Sequence, residues 1–159
     1  MADLVTSLFD ALGRSPPGLF LAASTPAFAA VQSIHLIGLA GVGGAVVALD
    51  LAVLGVVFRG ADITRVARGL FGFFLVALVL TVTSGLLLVS AGPQKYLLNA
   101  LFGPKLLVLA LALALHLLIY PGIVRPAPAA RVELARPFAA ASLVAWFSVA
   151  VIGRWIGLI

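Results

Sequence analysis

The sequence predicts an all-α protein, a membrane-spanning four-helix bundle with an N-terminal interfacial helix. Of its 159 residues, 64% are hydrophobic and only 9% are charged. A soluble globular domain has about 45–50% apolar and about 25% charged residues. The apolar residues form four continuous runs, each long enough for a spanning helix of about 20 residues. A transmembrane β-barrel would instead alternate apolar and polar residues in short segments.

Residues 1–27 are predicted to form a helix that lies in the membrane interface. Its apolar side chains recur at helical spacing on one face: Leu4, Val5, Leu8, Phe9 and Leu12. A cleaved signal peptide is the alternative, because residues 27–29 resemble a cleavage site. The segment carries two aspartates and lacks a basic start, which favours the interfacial helix.

The four apolar runs predict spans at about residues 28–58, 70–90, 97–120 and 138–159. Pro26 follows a Ser-Thr pair and is placed to begin the first helix. Pro93 ends the second run. Gly103 and the proline after it offer an alternative start for the third helix, and Pro137 is expected to open the fourth.

The basic residues predict the orientation. Six lie in the first and third loops: Arg59, Arg65, Arg68, Arg125, Arg131 and Arg136. Four lie on the opposite side: Arg14, Lys95, Lys105 and Arg154. Cytoplasmic loops carry an excess of Lys and Arg, so both termini are predicted to lie outside. We therefore expect a multi-pass protein of the bacterial inner (cytoplasmic) membrane. Its net charge of +5 then reflects loop arginines and predicts no nucleic-acid partner.

Several chemistries lack the residues they need. The chain has no cysteine, so it forms no disulfide and offers no thiolate to a metal or a substrate. It has no phosphate-binding glycine loop, no HExxH and no GxSxG. Hydrolysis and phosphoryl transfer are therefore not expected, and whether the chain is an enzyme stays open.

The polar residues within the spans indicate where function lies, because ionisable groups there are costly. The rise of 1.5 Å per residue puts Asp50 about 22 Å deeper than His35, and His116 roughly 16 Å deeper than Lys105. Two layers result. The outer layer contains His35, Thr83, Ser84, Lys105 and Arg154, and the inner layer contains Asp50, His116 and Tyr120.

The leading hypothesis is electron transfer through haem b or a quinone in the outer layer. Its predicted cofactor-binding residues are His35, Lys105, Arg154, Ser84 and Thr83. His35 would be an axial iron ligand, or would hydrogen-bond a quinone carbonyl oxygen. The histidines His35 and His116 are the candidate metal ligands, but an offset of about 15–20 Å argues against one haem bridging both.

Simpler interpretations stay open for each polar residue. A histidine in a span can bond a neighbouring helix, for example through Thr83 or Ser84, and Lys or Arg near a helix end can extend to the interface. Asp50 either pairs with another polar group or forms a proton or cation site. The glycines from Gly38 to Gly44 allow either close helix packing or a flat ring beside His35.

Two further functions are compatible with the sequence. The chain has the small size and short loops of an accessory subunit in a larger membrane complex, whose partners would be lipid, other membrane subunits or a redox protein. Copper handling is the other, since His35 is an acceptable copper ligand. The chain lacks internal Met and Cys, the soft ligands that a Cu(I) path prefers.

Four stretches resemble a family of uncharacterised bacterial four-helix membrane proteins, distantly similar to CopD-type copper-resistance domains. They are SIHLIGLAGVGGAVVALDL (Ser33–Leu51), TSGLLL (Thr83–Leu88), KYLLNALFGPK (Lys95–Lys105) and GRWI (Gly153–Ile156). The resemblance implies a four-helix bundle and marks His35, Asp50, Lys105 and Arg154 as family-type positions. Relatives often have Asn near position 116, where this chain has His116.

Overall fold

The computed structural model describes residues 2–124 and 129–156, which form seven helices and no strand. The helices are α1 Ala2–Gly13, α2 Pro16–Ala23, α3 Thr25–Val53, α4 Ile63–Ala91, α5 Pro93–Leu97, α6 Phe102–Val124 and α7 Ala129–Ile156. Helices α3, α4, α6 and α7 are long and apolar enough to cross a membrane. The predicted all-α class and membrane helical bundle are confirmed.

The four long helices form a closed ring of neighbours. Helix α3 packs most extensively on α4, and α6 packs on α7. Helix α3 also contacts α7, and α4 contacts α6, so α3 lies diagonally opposite α6. We call the end of the bundle where α1, α2 and α5 pack the capped end. The opposite end, where α3 connects to α4 and α6 to α7, is the loop end.

The N-terminal segment forms two helices rather than one. The Ser15 side chain accepts a hydrogen bond from the Gly18 amide, and prolines at the first turn start α2 afresh. Helix α1 packs on α5, where the Asp10 Oδ1 atom accepts a hydrogen bond of 2.8 Å from Gln94 Nε2. The apolar face predicted for the membrane surface stays exposed at Leu4, Val5 and Leu8.

The first two spans are shifted relative to the sequence prediction. Helix α3 ends at Val53 rather than near residue 58, because Gly55, Phe58 and Gly60 adopt positive φ angles of 73°, 53° and 82°. Helix α4 begins seven residues early. Its N-cap is Asp62, whose Oδ1 atom accepts a 2.9 Å hydrogen bond from the amide of the second helical residue.

The last two spans also begin elsewhere than predicted. Helix α6 starts at Phe102, next to the alternative start at Gly103, and residues 93–97 form the separate helix α5. Helix α7 starts at Ala129, so Pro137 lies inside it instead of opening it. Arg125, and residues 157–159 of the predicted fourth span, lie outside the described residues.

The interior of the bundle contains apolar layers. The layer nearest the loop end, called the first apolar layer, consists of Leu49, Val53, Ala67, Ile119 and Ala139. The second apolar layer consists of Val42, Ala45, Val46, Phe74 and Ala77, with Leu113 and Trp146 packed against it. The outward faces of the long helices are also apolar, as at Leu107, Val76 and Leu118. Exposed apolar faces of this extent are those of a membrane protein.

Candidate functional site

His35 lies in the seam between α3 and α4, near the capped end. Its Nδ1 atom is 3.0 Å from the Thr81 carbonyl oxygen and 3.0 Å from Ser84 Oγ. A carbonyl oxygen can only accept, so Nδ1 carries the hydrogen and donates it. The Ser84 hydroxyl itself donates to the Leu80 carbonyl at 2.6 Å. The neutral imidazole is thereby held with its Nδ1 atom protonated and its Nε2 atom as a lone pair.

The Nε2 atom of His35 has no hydrogen-bond partner among the described residues, and the side chain is half-buried. Histidines that bind a metal or ligand often donate the other ring N–H to a backbone carbonyl, which fixes tautomer and orientation. The arrangement at His35 has this form. It presents one oriented acceptor at the edge of the bundle.

Glycines bring the backbones of α3 and α4 together beside His35. A Cβ atom at Gly38 would lie 2.5 Å from Thr81 Oγ1 and 3.0 Å from the Thr81 amide nitrogen. One at Gly41 would lie 2.9 Å from the Ala77 Cβ atom. These glycines therefore serve close packing, and no flat ring fits between α3 and α4 at this level.

Gly85 leaves the space that the imidazole occupies. A Cβ atom at this position would lie 3.2 Å from the His35 Cε1 atom. Gly43 and Gly44 face open space, with no atom of the described protein within 4 Å of the added Cβ. Of these glycines in α3, Gly38 and Gly41 therefore lie at the contact with α4, whereas Gly43 and Gly44 do not.

Lys105 joins the outer layer from α6. Its side chain is half-buried and lies against α7, where a Cβ atom added at Gly153 would be 3.5 Å from the ammonium nitrogen. Its charge acts electrostatically on His35. The lack of a side chain at Gly153 makes room for this cation inside the bundle.

The other two predicted outer residues face away. Arg154 and Thr83 are exposed, and neither has a hydrogen bond or ion pair with another described residue. Of the predicted cofactor residues, the structure therefore brings His35 and Ser84 into contact and leaves Arg154 and Thr83 outside. Lys105 lies on α6 against α7 and reaches His35 only through its charge.

Thr81, whose carbonyl oxygen orients His35, was not among the site residues predicted from the sequence. The small residues at positions 77, 81, 84 and 85 mark the face of α4 that contacts α3. This pattern in the sequence could have indicated that Thr81 faces His35.

The inner layer contains Asp50 and His116, with exposures of 0% and 2%. The His116 ring packs on Phe74, with ring centroids 4.4 Å apart. Tyr120 lies nearer the loop end and stacks on Phe71 at 3.9 Å. His116 contacts α4 at Phe74, and His35 contacts it at Thr81. These two positions are seven residues apart, which is about 10 Å along the helix.

This offset keeps the two histidines from sharing a ligand. One iron atom needs both axial nitrogens at nearly the same depth, so a haem bridging His35 and His116 does not fit. Among the residues that the structure describes, no three His, Cys, Asp or Glu side chains come together to hold a metal ion.

An open groove of about 300 Å³ lies at the capped end, above the same seam. Phe28 and Leu88 form its apolar walls, and Lys95 and Tyr96 lie at its polar side. Burial raises the pKa of the Tyr96 phenol, which keeps its hydroxyl proton at neutral pH. Phe28 and His35 are seven residues apart and share a face of α3, so groove and histidine are about 10 Å apart on one side.

A model of one protein family matches residues 6–159, nearly the whole chain; the family is described as a family of unknown function, DUF6644. The chain belongs to DUF6644. Comparisons with curated proteins and with solved structures gave no match, and nothing in them indicates a similarity to CopD-type domains. Membership of DUF6644 carries no activity, so function has to be argued from the geometry.

Proposed function

We propose that this DUF6644 protein binds the headgroup of a quinol at His35, as a multi-pass protein of the bacterial inner membrane. The observation that carries the proposal is the fixed imidazole. Its Nδ1–H is committed to the Thr81 carbonyl, and its Nε2 lone pair is free to accept a hydrogen bond. A quinol hydroxyl is a donor of the right kind. Its ring and isoprenoid tail would lie on the exposed apolar faces at the edge of the bundle, outside the closed seam between α3 and α4.

The tautomer favours the reduced form of the ligand. A quinone carbonyl needs a donor, whereas the neutral imidazole held at Nδ1 offers an acceptor. A bound quinol supplies two electrons and two protons to a redox partner. Lys105, which is half-buried on α6, has a positive charge that acts on His35. This charge would also stabilise the negative charge left when a quinol hydroxyl gives its proton to the Nε2 atom.

Haem b fits the described residues less well. Only one histidine is available at the level of His35, and the seam beside it is closed at Gly38. Arg154, expected to pair a propionate, is exposed and away from His35. Neither copper handling nor an accessory role is favoured by a specific observation.

The orientation is part of the proposal. With both termini outside, the capped end faces the outer side of the membrane, and His35 lies in the outer leaflet. The proposed partners are the bilayer, a quinol and a redox protein or other membrane subunits on that side.

The test is quinol binding by the purified protein in mild detergent. A short-chain quinol should bind more tightly than its quinone, and His35→Ala should weaken quinol binding about tenfold, since one hydrogen bond contributes about 1–1.5 kcal/mol. Thr83→Val is the matched control, because this exposed side chain lies on the opposite face of α4. It should leave the affinity unchanged.

Two results would overturn the proposal. One is equal quinol affinity in the wild type and His35→Ala. The other is a Soret band in the visible spectrum of the purified protein that disappears in His35→Ala, which would assign haem to His35 instead.

A further inference from the structure

Four side chains in the middle of the bundle have buried polar atoms without a hydrogen-bond partner among the described residues. They are both carboxyl oxygens of Asp50, His116 Nδ1, Ser142 Oγ and Trp146 Nε1. Buried polar groups in proteins are almost always hydrogen-bonded, and each exception needs an explanation. Four on facing helices therefore point to a ligand too small to be a side chain.

Three of these side chains share one depth, and Trp146 lies one turn further towards the capped end. On α3, Asp50 lies between Leu49 and Val53, which both belong to the first apolar layer. On α6, His116 lies between Leu113, which packs against the second apolar layer, and Ile119 of the first. On α7, Ser142 lies three residues beyond Ala139 of the first layer, and Trp146 lies four residues further on, where it also packs against the second apolar layer. We call these four residues, Asp50, His116, Ser142 and Trp146, the polar layer.

Within the polar layer, Ser142 on α7 lies close to the Asp50 carboxyl group, but no hydrogen bond joins the two side chains. Helix α4 contributes no polar group at this level, only the ring of Phe74, which covers His116. The layer is thus enclosed on all four sides, with Asp50 and His116 on diagonally opposite helices.

No described cation neutralises Asp50. On the neighbouring helices, most charged and titratable residues lie towards the loop end: Arg65 and Arg68 on α4, Tyr120 on α6, and Arg131, Glu133 and Arg136 on α7. Arg154 lies at the capped end of α7 and is exposed. Arg136 is paired with Glu133 at 2.8 Å. Towards the capped end, His35 and Lys105 lie beyond the second apolar layer. A buried carboxylate without a counter-charge is strongly destabilising, so a neutralising species must be present.

We propose that the polar layer is a proton-binding site, in which Asp50 and His116 hold one exchangeable proton, linked by enclosed water to Ser142 and Trp146. Uptake of one proton from solvent converts the carboxylate to the acid, and its release reverses this. No electron or other group moves. The indole N–H of Trp146 can only donate, which suits water and opposes a bare metal cation, since such ions require oxygen acceptors.

The proposal does not depend on quinol binding, because the second apolar layer separates Asp50 and His116 from His35. The test is infrared difference spectroscopy of the protein in liposomes, recorded as pH is changed in H2O and D2O. We expect one carboxylic-acid C=O band that titrates and shifts in D2O. It should be absent in Asp50→Asn and titrate at another pH in His116→Gln.

Matched variants keep the test decisive. Asp62→Asn, which alters an exposed carboxyl at the start of α4, should leave the band unchanged. Asp50→Glu retains a carboxyl group and should move the band, even if Asp50→Asn does not fold. A wild-type spectrum without this band at any pH would overturn the proposal. A band removed by sodium but not by choline would do so too, because the site would then bind a cation.

Discussion

Replacing Gly38 with alanine should push α3 and α4 apart at the level of His35. The added Cβ atom would lie 3.0 Å from the Thr81 amide nitrogen and 3.2 Å from its Cα atom. Because the favourable separation of such atoms is about 3.5–4.0 Å, the backbones must move apart by about half an ångström. Overpacking of this kind costs about 1–3 kcal/mol.

Gly44→Ala in the same helix is the matched control, since its Cβ would meet no described atom within 4 Å. Both variants gain about 0.8–1 kcal/mol of helix propensity, which cancels in the comparison. Gly38→Ala should therefore be about 1–3 kcal/mol less stable than Gly44→Ala. The assay is equilibrium unfolding in mixed micelles, followed by tryptophan fluorescence. Equal free energies of unfolding for the two variants would refute the close contact of α3 and α4.

Three other predictions concern the capped half of the molecule. Gly85→Val should displace the His35 ring and remove the ¹⁵N NMR shifts of a histidine protonated at Nδ1, because its Cβ would lie 3.2 Å from Cε1. Gly153→Leu should expel the Lys105 ammonium and speed its reaction with an amine reagent. Burial raises the pKa of Tyr96, so the folded state keeps this proton longer than the unfolded chain. The stability due to Tyr96 should be complete below about pH 10 and decline above it, as unfolding free energies at pH 9 and pH 11 would show.

Each of these has a control. Gly72→Ala, with no described atom near its Cβ, should leave the histidine shifts unchanged. Gly153→Ala should leave Lys105 in place, because its Cβ would make an ordinary contact of 3.4 Å. Tyr96→Phe should lose less stability between the two pH values. If the wild type and Tyr96→Phe lost the same unfolding free energy between pH 9 and pH 11, the burial of the phenol would be contradicted.

The number of membrane-spanning helices and the depth of the polar residues could be predicted from the sequence. Hydropathy alone identifies segments that must lie in lipid, and a fixed rise per residue converts sequence position to depth. These two rules separated His35 from His116. They did not place helix ends outside the apolar runs, so the polar start of α7 before Pro137 was missed.

Helix rotation could not be predicted, and rotation decides which polar groups meet. Thr81 and Thr83 differ by about 200° around α4, so the first faces His35 and the second faces outwards. Ser142 and Trp146 looked like ordinary helix residues for the same reason. Their importance arises only from neighbours on other helices, which a single sequence does not specify.

The pairing of α3 with α4 and of α6 with α7 has a consequence for biogenesis. The first hairpin is synthesised before the second, at about 5–20 residues per second. Asp50 therefore spends several seconds in the membrane before His116 and Ser142 leave the ribosome. Until then Asp50 lacks its neighbours on α6 and α7, and a carboxyl group that faces lipid is favoured as the uncharged acid. Docking of the second hairpin encloses this group, which makes the arrival of α6 and α7 the step at which assembly is completed.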